Sequence, residues 1–395
     1  MNKIFKRLTP EHVFMGIAMI NVCIMVMLLI FSEGARMAQM TYGEGNFGDF
    51  WECIRKIIYN DSIYGNVSDP DAIYPPLMFS FLNIFATIVK DRQKASELFV
   101  STTGYGMLCL VMYIILFVVL FIEVLHYFYK SNSGMKKAIL AFTLIFSYPF
   151  WGCAFERGNP VMYAMLFLMI GLSLRDSDNC ILREISLIMV AVSAGFKLYP
   201  AVFGLLWIVE KRYKEAGRLV LYGLAAFFIP FHFWGGIFNG VANYLITFSG
   251  YLGKGLYSET SILGDCIILF GERGKIIGQV CIVCWIIWVI YYLFSEKITW
   301  KSIALLTSTQ TILLAESYVY TFVFISIPLC FFLNMLNKKK VYTWSDYLYA
   351  MLFALIFTCP PVADRVSGVT KGLYLAWIAM LLLISLEKVY HIVNS

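Results

Sequence analysis

Long apolar runs separated by short polar breaks follow one another along nearly the whole chain. Apolar runs of roughly 20 residues are typical of membrane-spanning helices, and this pattern leaves no separate soluble domain. We therefore predict an all-α polytopic membrane protein that forms a single domain over residues 1–395. About twelve spans are predicted, and they are Val13–Phe31, Gly104–Tyr129, Ala138–Phe155, Val161–Leu174, Ile181–Phe196, Tyr199–Val209, Leu219–Phe233, Ile276–Phe294, Ser302–Ser317, Thr321–Leu336, Tyr347–Thr358 and Leu373–Tyr390.

Composition supports a membrane protein. The chain is 60% hydrophobic and 14% charged, whereas soluble domains are about 45–50% apolar. The net charge of +6 comes from Lys and Arg clustered in short loops, which is typical of cytoplasmic connections and excludes a nucleic-acid-binding surface. The ten cysteines lack the paired spacing of a disulfide framework or a zinc site.

Loop charge sets the predicted topology. The basic segment Lys3–Arg7 indicates a cytoplasmic N-terminus, so the first span leads outward. The next apolar stretch, Tyr74–Val89, is short for a span. If it lies on the membrane surface, the charged loops Lys130–Lys137 and Glu210–Arg218 both fall on the cytoplasmic side, as the positive-inside rule prefers.

This topology predicts a large first outer loop over about residues 33–98. The loop would hold two surface helices, Phe50–Asn60 and Leu77–Val89, and Gly235–Gly264 would form a second outer loop. Both chain termini would then be cytoplasmic.

Asp49 lies between Gly48 and Phe50, just outside the first span. A carboxylate near lipid is costly unless it faces water or a partner, so it is a functional candidate. The alternative is that Asp49 caps a helix that starts at Phe50, since Asp is among the best N-cap residues. The local sequence favours neither interpretation.

Polar residues occur at four chain positions that this topology brings to the same outer surface. One such cluster at a span end suits interface anchoring, but four together favour a site. The clusters are Asp49 with Tyr74-Pro75-Pro76, Glu156-Arg157-Gly158-Asn159, Gly195 to Pro200 with Lys197 and Tyr199, and Glu316-Ser317-Tyr318-Val319-Tyr320.

The cations in these clusters indicate an anionic ligand. Lys197 interrupts two apolar helices, and Pro200 cannot donate a backbone hydrogen bond, so the helix is predicted to break there. Lys197 either snorkels to the interface or binds an anion. A lipid phosphate would satisfy both Lys197 and Arg157. Asp49 would then accept a proton from an attacking hydroxyl, which suggests group transfer from a lipid phosphate.

Other polar residues are weaker candidates for the functional site. Glu316 is either a second functional carboxylate or an ion-pair partner of Lys197 or Arg157. Ser261, in the second outer loop, is predicted to contact a sugar. No metal or other cofactor is expected, because Asp69 and Asp71 suit solvated turn positions around Pro70.

At these residues the sequence resembles glycosyltransferase family 87, a polyprenol-phosphate-mannose-dependent group of the GT-C superfamily. The resemblance implies a GT-C-like helix bundle, surface helices in the first outer loop, and inverting transfer of a sugar from a β-linked polyprenyl phosphate, with Asp49 as general base. The stretches that carry it are Gly48-Asp49-Phe50, Ile63-Tyr64-Gly65, Tyr74-Pro75-Pro76-Leu77, Arg157-Gly158-Asn159 and Lys197-Leu198-Tyr199-Pro200.

The second half departs from the family pattern. Family members often have a Ser-Pro-x-x-Trp stretch with His near the outer end of a late span, where this chain has Glu316 to Tyr320 without Pro, Trp or His. The donor sugar implied by the resemblance therefore need not be mannose, and we expect mannose or another hexose.

Two alternative functions fit the same features. A transporter or flippase of a lipid-linked or anionic solute would also place cations near broken helices, but the inverted repeats common in such proteins are not visible. A glycan polymerase or ligase of another membrane family would use an oligosaccharide donor instead.

Overall fold

A computed structural model describes residues 8–34, 47–59, 63–65, 73–90, 104–253, 257–258, 260–314, 318–358 and 367–394. Within these ranges the chain is helical and has no β-strand. The α-helices are α1 Pro10–Phe31, α2 Gly48–Tyr59, α3 Pro76–Lys90, α4 Gly104–Phe128, α5 Gly134–Ile145, α6 Val161–Leu174, α7 Cys180–Phe196, α8 Leu205–Val209, α9 Tyr213–Phe228, α10 Ile237–Gly253, α11 Ile262–Phe270, α12 Glu272–Ser295, α13 Trp300–Thr311, α14 Ser326–Lys338, α15 Trp344–Ile356 and α16 Ser367–Val393. A π-helix, Tyr148–Phe155, and three 3₁₀ helices, Tyr199–Gly204, Ile229–Phe233 and Val319–Ile325, complete them.

Six helices in the described residues are long and apolar enough to cross a membrane, and they rise to seven if α5 and the π-helix, bent by 46°, form one span. This confirms the predicted all-α polytopic membrane protein. Each of the twelve predicted spans overlaps a helix. The number of twelve spans stays a prediction, because several of these helices are short. The predicted surface helices are indeed helices, α2 and α3, and their placement on the membrane surface stays a prediction.

Prolines accompany three of the four changes of helix type in the described residues. The π-helix and two of the 3₁₀ helices each have proline near their first residue, at Pro149, Pro200 and Pro230. Proline lacks the N–H group that an α-helix would use, so the regular hydrogen-bond ladder stops there. The sequence predicts the break at Pro200, and Lys197 lies three residues before this proline, at the end of α7.

The chain folds into two compact units, and the first comprises residues 1–44, 125–156 and 257–395. In this unit α15 packs against α1 and α16. Trp377 Nε1 donates to Thr311 Oγ1 over 2.8 Å, which fixes α16 to the end of α13. An aromatic cluster lies in its core and consists of Trp300, Phe332, Tyr349 and Phe353.

The second unit comprises residues 45–124 and 157–256. Its helices α6 and α7 approach closely, since a Cβ added at Gly171 would lie 2.6 Å from Val190 Cγ2. Ser186 Oγ donates to the Gly171 carbonyl over 2.7 Å, and Ser193 Oγ donates to the Ala164 carbonyl over 2.6 Å. Small and hydroxyl-bearing residues at such contacts let helix backbones approach closely in membranes. The end of α7 is therefore fixed against α6.

The predicted second outer loop, Gly235–Gly264, contains a helix over Ile237–Gly253, and its place outside the membrane stays a prediction. The buried positions of α10 are Gly240, Tyr244 and Thr247, spaced four and three residues apart on one face. A Cβ added at Gly240 would lie 2.8 Å from Phe231 Cδ1. The sequence prediction missed this helix because its buried face is small or polar apart from one tyrosine.

The prediction of a single domain over residues 1–395 stays a prediction.

Candidate functional site

Asp49 lies in the first turn of α2, which begins at Gly48. The interpretation of Asp49 as the cap of a helix starting at Phe50 is therefore wrong. The helix starts earlier because the Phe47 carbonyl already accepts a helical hydrogen bond from the Trp51 amide over 3.0 Å, and Phe47 itself adopts φ 63°. The carboxylate instead contacts Arg157 and Asn159.

Arg157 grips the carboxylate of Asp49 at two points. Its Nη2 donates to Oδ1 over 2.6 Å and its Nε donates to Oδ2 over 2.8 Å. The Asp49 side chain is 16% exposed and the Arg157 side chain 35%. Such bidentate pairs fix orientation as well as charge, because the planar guanidinium matches the two oxygens.

Asn159 also donates to Asp49, from Nδ2 to Oδ2 over 2.5 Å. Its Oδ1 accepts from the backbone amide of Val161 over 2.9 Å, at the first residue of α6. This second bond identifies the amide nitrogen as the atom that faces Asp49. Asn159 is 1% exposed. The described residues thus donate three hydrogen bonds to a carboxylate that can accept about four.

Gly158 allows this turn to approach α2. Its φ is 61°, and an added Cβ would lie 2.7 Å from the Cβ of Phe50. The Gly158 carbonyl accepts a hydrogen bond from Tyr113 Oη over 3.2 Å. The turn is therefore held between α2 and α4 within the second unit.

Lys197 lies at the C-terminal cap of α7, with extended backbone angles of φ −146° and ψ 130°. Its Nζ lies 3.8 Å from the centroid of the Tyr74 ring. Two residues earlier, Gly195 lets the end of α7 pack closely against α3, because an added Cβ there would lie 2.7 Å from Leu77 Cδ2. Burial lowers the pKa of the Lys197 ammonium to about 8, while the nearby charge of Asp49 acts in the opposite direction.

The segment 63–65 holds the backbone of Tyr74 in place. Tyr64 Oη donates to the Tyr74 carbonyl over 2.7 Å. The Gly65 amide donates to Thr247 Oγ1 of α10 over 2.8 Å. The side chain of Tyr74 reaches the site, where Asn159 Nδ2 lies 3.4 Å from its Oη.

The second unit thus brings together five of the predicted site residues, which are Asp49, Tyr74, Arg157, Asn159 and Lys197. Tyr199 follows two positions later as the first residue of a 3₁₀ helix.

Ser261 and Tyr318, two further predicted site residues, belong to the first unit. Ser261 caps α11, where its Oγ accepts from the Gly264 amide over 3.0 Å. Tyr318 precedes a 3₁₀ helix, and its ring stacks on Tyr320. Glu316 lies outside the described residues, as do Asp69 and Asp71.

Sequence reasoning missed two residues that share a face of α2 with Asp49. Cys53 is buried, and burial together with the charge of Asp49 raises the pKa of its thiol. Lys56 is 4% exposed, and its Nζ lies 3.5 Å from Glu52 Oε1. The signal was the spacing of four and three residues, which aligns side chains along one helix face. Both Lys56 and Lys197 lie within electrostatic range of the Cys53 thiol.

Comparison with known proteins gives one result. No curated protein and no solved structure matches the chain. The model of glycosyltransferase family 87 matches residues 72–316, more than half of the chain. The match confirms the family that the sequence resembles, and it includes Tyr74, Arg157, Asn159 and Lys197. This chain, a membrane glycosyltransferase, therefore belongs to glycosyltransferase family 87.

Proposed function

We propose that this enzyme is an inverting hexosyltransferase that uses a polyprenyl-phosphate sugar as donor. The sugar is mannose or another hexose, and the acceptor is a hydroxyl group on an extracytoplasmic glycan or glycolipid of the cell envelope. One observation carries the proposal: the carboxylate of Asp49 and the ammonium of Lys197 lie in one site, joined through Asn159 and Tyr74. A carboxylate and a cation are the two groups that this reaction needs.

Asp49 is the proposed general base. Arg157 and Asn159 hold it in one orientation, and Oδ1 accepts one of the three described hydrogen bonds whereas Oδ2 accepts two. The remaining acceptor position of Oδ1 suits the hydroxyl of the acceptor. As the hydroxyl oxygen forms its bond to the anomeric carbon, its proton passes to Asp49.

The leaving phosphate is the proposed partner of the cations. The bond between the anomeric carbon and the phosphate oxygen breaks, and its electron pair leaves with the polyprenyl phosphate. Negative charge therefore moves from Asp49 to the phosphate. Lys197 is positioned to stabilise that charge, and electrostatic stabilisation of this kind is a large contribution to catalysis. Arg157 would contribute its positive charge, which Asp49 no longer neutralises once it has taken the proton.

Attack from the face opposite the leaving phosphate inverts the anomeric carbon. A β-linked donor therefore gives an α-linked product. Tyr74, Asn159, Tyr199, Ser261, Glu316 and Tyr318 stay proposed substrate contacts.

The membrane arrangement belongs to the same proposal. A GT-C-like bundle with cytoplasmic termini would place Asp49 on the extracytoplasmic side, where a polyprenyl-linked donor can be used without a nucleotide sugar. The donor then reaches the enzyme through the bilayer, because the polyprenyl chain of the donor is apolar.

The test is a transfer assay on purified protein with radiolabelled polyprenyl-phosphate hexoses and, separately, labelled nucleotide sugars. Label is expected to enter the acceptor from the polyprenyl donor alone, and Asp49→Asn should abolish this transfer while the protein still inserts and folds. Asp178→Asn is the matched control, because Asp178 is exposed and precedes α7. Full activity of Asp49→Asn would overturn the assignment of Asp49 as the general base. Transfer from nucleotide sugars alone would overturn the assignment of a polyprenyl-phosphate sugar as the donor.

A further inference from the structure

Tyr74 contacts both Lys197, a cation of the site, and Asn159, which donates a hydrogen bond to Asp49. Its ring lies 3.8 Å from Lys197 Nζ, and its Oη lies 3.4 Å from Asn159 Nδ2. The same amide nitrogen lies 2.5 Å from Asp49 Oδ2. A single side chain therefore connects the two halves of the site.

The position of Tyr74 is itself fixed. Tyr64 donates to its carbonyl, and Tyr244 Oη lies 3.4 Å from the carbonyl of Ile73. The edge of its ring meets Phe79 of α3 at an interplanar angle of 80°. These contacts come from separate segments of the second unit; two of them fix the backbone at residues 73 and 74, and the third packs against the ring.

We propose that Tyr74 is a positioning residue, whose ring holds the ammonium of Lys197 and whose hydroxyl holds the amide of Asn159. Its effect on transfer rests on the proposed function, whereas its effect on Lys197 does not. An ammonium over an aromatic face is attracted by the ring quadrupole, which favours the charged form of lysine. The ring therefore keeps Lys197 both in place and protonated.

The titratable groups around Lys197 are known, so the contribution of the Tyr74 ring to its pKa is measurable. Asp49 and Cys53 of α2 favour the ammonium, whereas burial and the neighbouring Arg157 disfavour it. These influences leave the pKa of Lys197 at about 8. Loss of the ring should move it further down, into a range where the lysine loses its proton near neutral pH.

Two variants separate the two contacts. Tyr74→Phe keeps the ring and removes the hydroxyl, whereas Tyr74→Leu removes both. The protonation of Lys197 is measured by acetic anhydride labelling of purified full-length protein between pH 6 and pH 10, with the Lys197 peptide quantified by mass spectrometry. The matched control is Tyr127→Leu, since Lys130 Nζ lies 4.4 Å from the Tyr127 ring elsewhere in the chain.

The labelling midpoint of Lys197 is expected near pH 8 in the wild type, in Tyr74→Phe and in Tyr127→Leu. In Tyr74→Leu it should fall by about half to one pH unit. An unchanged or higher midpoint in Tyr74→Leu would overturn the proposal. If that variant unfolds at a lower temperature than wild type, Tyr74→Met provides the same comparison with an unbranched apolar side chain.

A transfer assay distinguishes this proposal from the function itself. If Asp49→Asn abolishes transfer but Tyr74→Leu labels like wild type, the positioning role fails and the function stands. If the labelling midpoint of Lys197 falls in Tyr74→Leu while Asp49→Asn remains active, the positioning role of Tyr74 stands and the assignment of Asp49 as the base fails. Rescue of donor KM by Tyr74→Phe, relative to Tyr74→Leu, would show that the ring acts on donor binding.

Discussion

Asn159 donates a hydrogen bond to Asp49 while it accepts one from the first turn of α6. The two bonds use opposite ends of one side-chain amide, so a donor and an acceptor are both required at this position. Since the amide is buried, an unsatisfied end would be costly. The start of α6 thereby orients the carboxylate on α2.

Asn159→Asp tests this arrangement. The substitution keeps the shape and the bond to Val161 but places a second carboxylate against Asp49, which removes a donor and adds repulsion. We expect kcat to fall roughly 10- to 100-fold, because a hydrogen bond to a charged group contributes about 1.5–3 kcal/mol. The measurement is kcat in a transfer assay, with thermal unfolding in detergent as a check on folding.

Asn179→Asp is the matched control for that variant. Asn179 caps α7 through a bond from the Ile181 amide to its Oδ1 over 2.8 Å. Asn and Asp are nearly equal as N-cap residues, so the control should retain wild-type activity. Wild-type kcat in Asn159→Asp would contradict the role of the amide donor.

Gly158→Ala should displace the turn that carries Arg157 and Asn159. The φ of 61° costs a residue with a Cβ roughly 1–2 kcal/mol, and the added methyl group would lie 2.7 Å from the Phe50 Cβ. We expect a lower unfolding temperature and lower kcat. Gly223→Ala is the control, because a Cβ at that position in α9 meets nothing within 4 Å. Equal stability and activity of the two variants would contradict the close approach.

Much of the site could be predicted because its residues are polar in an apolar chain. Asp49, Arg157, Asn159 and Lys197 attract attention wherever the fold brings them, since charge near lipid needs a partner. What the sequence could not reveal was that Arg157 pairs directly with Asp49. These residues are 108 positions apart, and the pairing depends on how closely the turn at Gly158 approaches α2.

Two further differences between the predicted and the observed helices also have physical causes. The start of α2 was misplaced by the positive φ of Phe47, a conformation that sequence propensity assigns to glycine or asparagine. Helix α10 was missed because hydrophobic periodicity detects apolar stripes, whereas Gly240 and Thr247 form most of its buried face. Both features depend on tertiary contacts.

The pH dependence of donor use should follow Lys197. Its pKa of about 8 means that the ammonium is mostly present at pH 7 and is lost as the pH rises through 8. Because a phosphate needs the charged form, kcat/KM for the donor should fall above about pH 8. A bound phosphate favours the ammonium, so the fall in kcat should occur at higher pH than the fall in kcat/KM.

Lys197→Arg separates this titration from others in the enzyme. Arginine stays protonated throughout the accessible range, so the alkaline fall in kcat/KM should disappear. Lys197→Met should weaken donor use at every pH. An alkaline fall that persists unchanged in Lys197→Arg would assign the titration to another group.

Arg157→Lys tests whether the two-point grip on Asp49 matters beyond its charge. Lysine keeps the positive charge but presents a point donor, so one of the two bonds to the carboxylate is lost and Asp49 can rotate. We expect kcat to fall by about tenfold with little change in unfolding temperature, because the Arg157 side chain is 35% exposed. Arg55→Lys is the matched control, since Arg55 makes the same two-point contact with Glu52 on the surface of α2 and its side chain is 53% exposed. Equal kcat in both variants would mean that charge alone orients the base, whereas a fall confined to Arg157→Lys would identify the planar guanidinium as the element that fixes Asp49.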